Sequence, residues 1–231
     1  QFFIKYFSQL NLTKLTLLDL QDLGKTRGWK EKDNKIVFLK GDISLSEIEN
    51  FDPKSYDAII NLASFASPVA YRLNPIGTLR GSVSTVWNLL DIFSQKTDKN
   101  GRFQIFSSSE IYGDPSPTQI PTPESYRGNV SCIGPRACYD ESKRFIETLG
   151  YVYSKQANFN ISIVRPFNNF GPGMLLDDGR LPADVMKAMV NNDKLSMFSD
   201  GSPTRSFCYV ADAIVGYLLA LNHDGFEVFN I

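Results

Sequence analysis

The strongest constraint on this chain is an alternation of hydrophobic periods. Strand-length runs of β-branched and aliphatic residues at 14–19, 35–39, 58–62, 103–107 and 161–165 are separated by longer stretches. Two of these stretches, 78–94 and 137–157, carry apolar residues at helical spacing. A strand that is apolar along its whole length has to be covered on both faces, which crossover helices accomplish and simple hairpins do not. The pattern therefore predicts an α/β protein built on a parallel sheet with helices on both sides. Beyond Pro166 the chain loosens into Gly-, Pro- and Asn-rich loops, with helices expected near 182–190 and 210–221 and a last strand at 227–231. Residues 1–166 are thus expected to form the sheet domain. Residues 167–231 are expected to cap the carboxyl edge of the sheet, where open α/β sheets bind ligands, with the 210–221 helix packing back on the sheet domain.

Composition narrows the chemistry. Lys+Arg number 24 against 25 Asp+Glu, so a net charge of −1 supplies no electrostatic basis for binding nucleic acid or an anionic membrane surface. The apolar runs are strand-sized, too short to span a bilayer. The single histidine, His223, sits in the polar stretch Asn222-His223-Asp224-Gly225, which reads as a surface loop. A Ser-His-Asp triad and a His-rich metal site are both poorly served by that, and no metal is expected. Three cysteines, Cys132, Cys138 and Cys208, show no ligand spacing and are too few for a disulfide framework. They fit the reduced thiols of a cytoplasmic protein. The chemistry is left to hydroxyls, carboxylates, lysine, arginine or a cofactor.

Several strand ends carry residues suited to a nucleotide. Asp19 closes the first run, Gly41-Asp42-Ile43 follows the second and Leu62-Ala63-Ser64 follows the third. In a dinucleotide-binding sheet, an acid at the end of the second strand accepts hydrogen bonds from the adenosine ribose and repels the extra phosphate of NADP. Each of these also suits an ordinary strand-ending turn. The ribose-binding acid usually lies about 20 residues past a glycine-rich phosphate loop, yet residues 1–11 contain no glycine. The expectation is a Rossmann-like doubly wound parallel sheet truncated at its N-terminus, with the first strand and glycine-rich loop preceding Gln1. The strand at 226–231 is likewise read as a truncated end.

Tyr139 and Lys143 lie four apart on an expected helix and so share a face. An ammonium beside a phenol favours the phenolate, making tyrosine a usable base near neutrality. Tyr151 and Lys155 repeat the spacing, but twelve steps of about 100° turn them roughly 120° around the helix. Either pair also suits an amphipathic helix surface. Position separates them: the run at 103–107 leads directly into Ser108-Ser109-Glu110, which places hydroxyls and a carboxylate where sheet ligands bind, one helix before Tyr139.

The stretches Ser107-Ser108-Ser109-Glu110-Ile111-Tyr112-Gly113-Asp114-Pro115, Gly128-Asn129-Val130 and Ile133-Gly134-Pro135-Arg136-Ala137-Cys138-Tyr139-Asp140-Glu141 resemble the extended short-chain dehydrogenase/reductase family, and within it the UDP-glucuronate decarboxylases. Ala66-Ser67-Pro68 with Tyr71, Arg165-Pro166-Phe167-Asn168 with Gly171-Pro172, Asp177-Asp178-Gly179-Arg180 and Thr204-Arg205-Ser206-Phe207 match in the same order. The resemblance implies NAD as cofactor and a nucleotide-sugar substrate, UDP-glucuronate, converted to UDP-xylose or to the 4-keto pentose. It makes Tyr139 the base at the 4-hydroxyl, Lys143 the residue that holds the nicotinamide ribose and keeps Tyr139 acidic, and Ser108 a partner of the 4-oxygen. Ser109 and Glu110 assist at the reacting end of the sugar. By the same resemblance Asn168 and Arg205 grip the nucleotide-sugar, and Arg80, Tyr153 and Gln156 contact substrate. Asp19, Asp42, Ile43, Leu62, Ala63, Ser64, Asn169 and Arg180 fall at cofactor-side positions. A homodimer through the helices at 78–94 and 137–157 is implied as well.

This sequence departs from the family in places. Ser108 stands for the usual threonine and keeps the hydroxyl, whereas Gly173 replaces a common arginine and Gly81 a threonine. A further family arginine would lie beyond Ile231. Two alternatives remain open on sequence: a 4,6-dehydratase or 4-epimerase of the same family, and a non-catalytic scaffold fragment. Glu110 counts against the epimerases, which generally lack a glutamate after the serines.

Overall fold

A computed structural model of the chain describes residues 2–28, 30, 35–45, 48–96, 100–156, 159–196 and 199–231. They form two compact units, Gln1–Phe51 and Asp52–Ile231, so the expected boundary after residue 166 falls inside the second. In the first unit, a short helix α1 (Phe2–Lys5) precedes strand β1 (Leu15–Asp19). β1 pairs in parallel with β2 (Ile36–Lys40), in a register running from Leu15 opposite Ile36 to Asp19 opposite Lys40. Helix α2 (Leu23–Arg27) lies between them in sequence. Asp22 starts it by accepting the Lys25 N–H at 3.1 Å, and Gly28, at φ +64°, ends it in the left-handed region.

The second unit holds β3 (Ala58–Asn61), α3 (Pro68–Leu73), α4 (Pro75–Phe93), β4 (Arg102–Phe106), α5 (Ala137–Gln156) and β5 (Asn160–Arg165). These are followed by β6 (Asn168–Phe170), α6 (Leu181–Asn191), β7 (Phe207–Tyr209), α7 (Val210–Leu221) and β8 (Phe226–Asn230). Its main sheet is wholly parallel in the order β3-β4-β5-β8. Side chains alternate across it with period two. Phe103, Ile105, Ile161 and Ile163 are fully buried on the face that receives α5, while Gln104 faces α7 and donates to the Tyr217 carbonyl at 2.8 Å. Helices therefore cover both faces, as the unbroken hydrophobic strands predict.

The main elements fall where the pattern places them, with ends shifted by a few residues. Helix α4 starts before residue 78 because Pro75 occupies its first turn and the Asn74 side chain accepts the Gly77 N–H at 2.9 Å. The last residue expected in α5, Ala157, lies outside the described residues. β6 and β7 pair in parallel as a separate two-stranded ribbon that periodicity does not reveal. No described helix is long and apolar enough to cross a membrane.

Candidate active site

The site is built where β4 ends. The chain runs extended through Ser107 and Ser108 and then tightens into a 3₁₀ turn over Ser109–Tyr112, which Ser108 caps by accepting the Glu110 N–H at 3.2 Å. Gly113 next takes φ +62°, and a Cβ there would sit 2.0 Å from the Asn129 carbonyl oxygen. Only glycine lets the two segments approach so closely, which returns residues 113–129 to the strand end. The three serines are not equivalent. Ser107 is spent on the scaffold, donating to Glu147 at 2.5 Å, Ser108 is buried beside Tyr139, and Ser109 is half-buried.

Helix α5 brings the second half. Tyr139, Lys143 and Glu147 stand four apart on the face turned to the ends of β4 and β5. Lys143, only 4 % exposed, donates from Nζ to the Phe106 carbonyl at 2.7 Å, and its ammonium lies 5.6 Å from the centre of the Tyr139 ring. Burial in that position brings its pKa down to about 8, against an opposing pull from Glu147. Tyr151, by contrast, is 52 % exposed, with Lys155 over its ring. The second Tyr-Lys pair points away from the strand ends.

The electrostatics at the phenol follow from its burial. Burial lifts the Tyr139 phenol above its ordinary value, more than its hydrogen bond with Ser108 lowers it, and the charges of Glu110 and Asp140 raise it further.

Four residues that spacing alone does not single out complete the site. Tyr71, on α3, stacks on Tyr139 with ring centres 5.2 Å apart and planes within 20°. Arg136 pairs with Glu110 and reaches Asp140 at 3.6 Å. Asp140 is buried, its Oδ1 has no partner, and burial raises its pKa. Asp178 accepts from Arg180, and its backbone carbonyl receives the Ser67 hydroxyl at 3.3 Å. All four lie in stretches that carry the family resemblance, and Arg136 and Asp140 also stand at i, i+4 spacing.

The other expected residues divide by location. Arg180 lies close enough to Tyr139 for the phenol's charge to act on it. Asn169 meets the Tyr217 hydroxyl through Nδ2, and its Oδ1 is buried without a partner. Ser64 shares a 3.0 Å hydrogen bond with Ser82, while Leu62 and Ala63 are exposed at the end of β3. Asn168 donates to the Ser206 carbonyl at 3.0 Å, and Arg205 is exposed, bonded to the neighbouring Thr204 carbonyl. Arg80 and Gln156 are exposed on α4 and α5, and Tyr153 donates to Asp91 across those two helices. On α5, Tyr153 lies about 21 Å along the axis from Tyr139, so the structure does not bring it to the phenol. In the first unit, Asp19 accepts the Gln21 N–H at 2.9 Å, and Asp42, followed by Ile43, accepts both the N–H and the hydroxyl of Ser44. Both acids thus make the strand-ending turns that their residue type favours.

Known proteins resemble this chain along most of its length. Residues 5–231 match the NAD dependent epimerase/dehydratase family. The chain is 39 % identical over 175 residues to UDP-glucuronic acid decarboxylase 1 of Arabidopsis thaliana, covering 76 % of this chain and 39 % of that one. It is 40 % identical over 166 residues to UDP-glucuronic acid decarboxylase 1 of Xenopus tropicalis, covering 72 % and 38 %. The chain thus spans about two fifths of the length of these relatives. Among solved structures, UDP-glucose 4-epimerase of Thermotoga maritima matches with a TM-score of 0.81 at 21 % identity, over 99 % of this chain and 71 % of that one. dTDP-glucose 4,6-dehydratase of Bacillus anthracis matches with a TM-score of 0.76 at 21 % identity, over 99 % and 70 %. These likenesses show the Rossmann-like fold, and the match along nearly the whole chain makes it a member of the NAD dependent epimerase/dehydratase family.

Proposed function

We propose that this protein uses NAD to decarboxylate UDP-glucuronate, giving UDP-xylose or the UDP-4-keto pentose. The observation that carries the reading is Tyr139 buried against Ser108 at the end of β4, with Glu110 on the next turn. Identity of 39 % and 40 % to named UDP-glucuronic acid decarboxylases supports the choice of substrate. The residues present also suit the cofactor. Lys143 commits a hydrogen bond to Phe106 out of three ammonium donors, Asn169 Oδ1 is an orphaned buried acceptor, and Leu62 offers exposed apolar surface. Lys143 and Asn169 would hold it within this unit.

Bound there, NAD⁺ would supply the acceptor for the C4 hydride of the sugar and the donor for its return. Tyr139 removes the 4-hydroxyl proton, and Ser108 holds that oxygen as it becomes a carbonyl. The ketone stands β to the C6 carboxylate, so the carbon–carbon bond breaks with its electron pair passing into an enolate at O4. The Tyr139 and Ser108 hydroxyls donate to that enolate oxygen and stabilise it. Reprotonation of the carbon completes the loss of CO₂.

Incubating the protein with NAD⁺ and UDP-glucuronate should release CO₂ and leave a UDP-pentose by mass. Unchanged UDP-glucuronate together with dehydration or epimerisation of a neutral hexose would overturn the decarboxylase reading. Failure to bind NAD⁺ in a fluorescence titration would favour the scaffold alternative. We also infer a homodimer through α4 and α5 and a cytoplasmic setting. Leu79, Trp87 and Phe145, each 43 % exposed, support the dimer, with Trp87 and Phe145 stacked across the two helices. Trp87→Glu should yield a monomer in light scattering, and an unchanged mass would remove α4 from the interface.

A further inference from the structure

Arg136 sits immediately before α5, and its carbonyl accepts the N–H groups of Tyr139 at 2.9 Å and Asp140 at 3.2 Å. Its backbone is therefore fixed by the same helical turn that carries the base. The guanidinium spreads over three neighbours. Nη2 donates to Glu110 Oε2, Nε lies 3.6 Å from Asp140 Oδ2, and Cζ stands 5.9 Å from the centre of the Tyr71 ring. Tyr71 in turn stacks on Tyr139. One cation thus links a carboxylate on the 3₁₀ turn, a buried acid on α5 and, through an aromatic plate, the phenol. A planar fork with five donors can serve all three, whereas an ammonium is a single point of charge. Ile111 and Tyr112 anchor the 3₁₀ turn in the core, whereas the half-exposed Glu110 side chain points off it and takes its ion-pair partner from Arg136.

We propose that Arg136 is a positioning residue that holds Glu110 and, by way of Tyr71, the ring of Tyr139 in one working arrangement. The proposal rests on the reading that Tyr139 and Glu110 act on the same sugar. It goes further by assigning the device that keeps them in register and by making their contributions interdependent. Removing the cation frees Glu110 and leaves Asp140 buried beside it without a counter-charge. The charged and titratable groups facing Tyr139 are then Glu110, Asp140, Tyr71, Lys143 and Arg180.

The test is a double-mutant cycle in the natural full-length protein on whichever nucleotide sugar it turns over. Arg136→Gln should lower kcat by about 30- to 100-fold with KM within about threefold, Arg136→Lys should recover part of that, and NAD⁺ affinity should be unchanged. Glu110→Gln combined with Arg136→Gln should be no slower than the slower single variant, because the two act as one unit. Losses that multiply, or an Arg136→Gln variant within twofold of the parent, overturn the proposal. A second measurement needs no turnover. Tyrosinate absorbance of the protein minus that of its Tyr139→Phe variant isolates the phenol, and Arg136→Gln should move its midpoint up by about one pH unit as Glu110 and Asp140 lose their counter-charge. An unmoved midpoint overturns the proposal even if no substrate is found. Absence of CO₂ release from UDP-glucuronate alone overturns only the decarboxylase reading.

Discussion

Arg165 and Glu147 meet beneath α5 with side chains 8 % and 14 % exposed, in two parallel contacts of 2.9 and 2.6 Å. Both are engaged further: Arg165 also donates to the Tyr112 hydroxyl and the Glu124 carbonyl, and Glu147 accepts from Ser107. Arg136 and Glu110 meet at the lip of the strand ends with side chains 42 % and 46 % exposed, and beside them an oxygen of Asp140 has no partner. The same two residue types therefore perform different tasks. A buried pair with four hydrogen bonds from Arg165 ties β4, β5 and α5 together and keeps little for a ligand. A half-exposed pair with capacity left over adds little to stability and can respond to one.

Four measurements can break or sharpen this contrast. Tyr139→Phe keeps the ring that stacks on Tyr71 and removes the hydroxyl, so turnover should fall by about 10²- to 10⁴-fold with thermal melting nearly unchanged. A comparable loss of stability would place Tyr139 with the scaffold instead. Glu147→Ala leaves Arg165 charged and buried, and denaturant unfolding should show a loss of about 3–5 kcal/mol. A small loss would mean that the inner pair is no anchor.

Lys143 belongs to both regions, since it touches the end of β4 and feels Glu147. Its folded value of about 8 lies below the ordinary 10.5, so between these values the unfolded chain binds a proton that the native protein does not. Stability should therefore rise relative to Lys143→Met as pH climbs from about 8 to 10, in denaturant midpoints. Parallel curves would show that the amine is solvated. The smallest effect should be Glu110→Gln, which removes only the half-exposed partner of Arg136 and is expected to cost under about 1 kcal/mol of stability. A loss matching that of Glu147→Ala would erase the distinction between the pairs.

Sequence spacing reaches the candidate site only part of the way. Tyr139 and Lys143 are legible because helical period fixes their shared face, and because the neighbouring strand end supplies hydroxyls. Tyr71 is not, since no local rule connects a residue on α3 with one 68 positions later, and their stacking exists only once α3, α4 and α5 have packed. The serines look alike in sequence, and it is Glu147, two turns along α5, that claims Ser107 for the scaffold. Nothing in the spacing announces the partner of Tyr153, which α4 supplies as Asp91. The sheet was legible from its strands, whereas β6 and β7 are three residues each, below the length at which alternation can be read.

Helix α5 lies close against the sheet because Gly150 has no side chain there. A methyl group in its place would come within 2.7 Å of Ile105 Cδ1 and 3.3 Å of Ile163 Cδ1. Tyr139, Lys143 and Glu147 are thus three marks on one ruler, pinned at its far end. Adding or deleting a residue between these marks would swing everything beyond it by about 100° and misalign phenol, amine and carboxylate together.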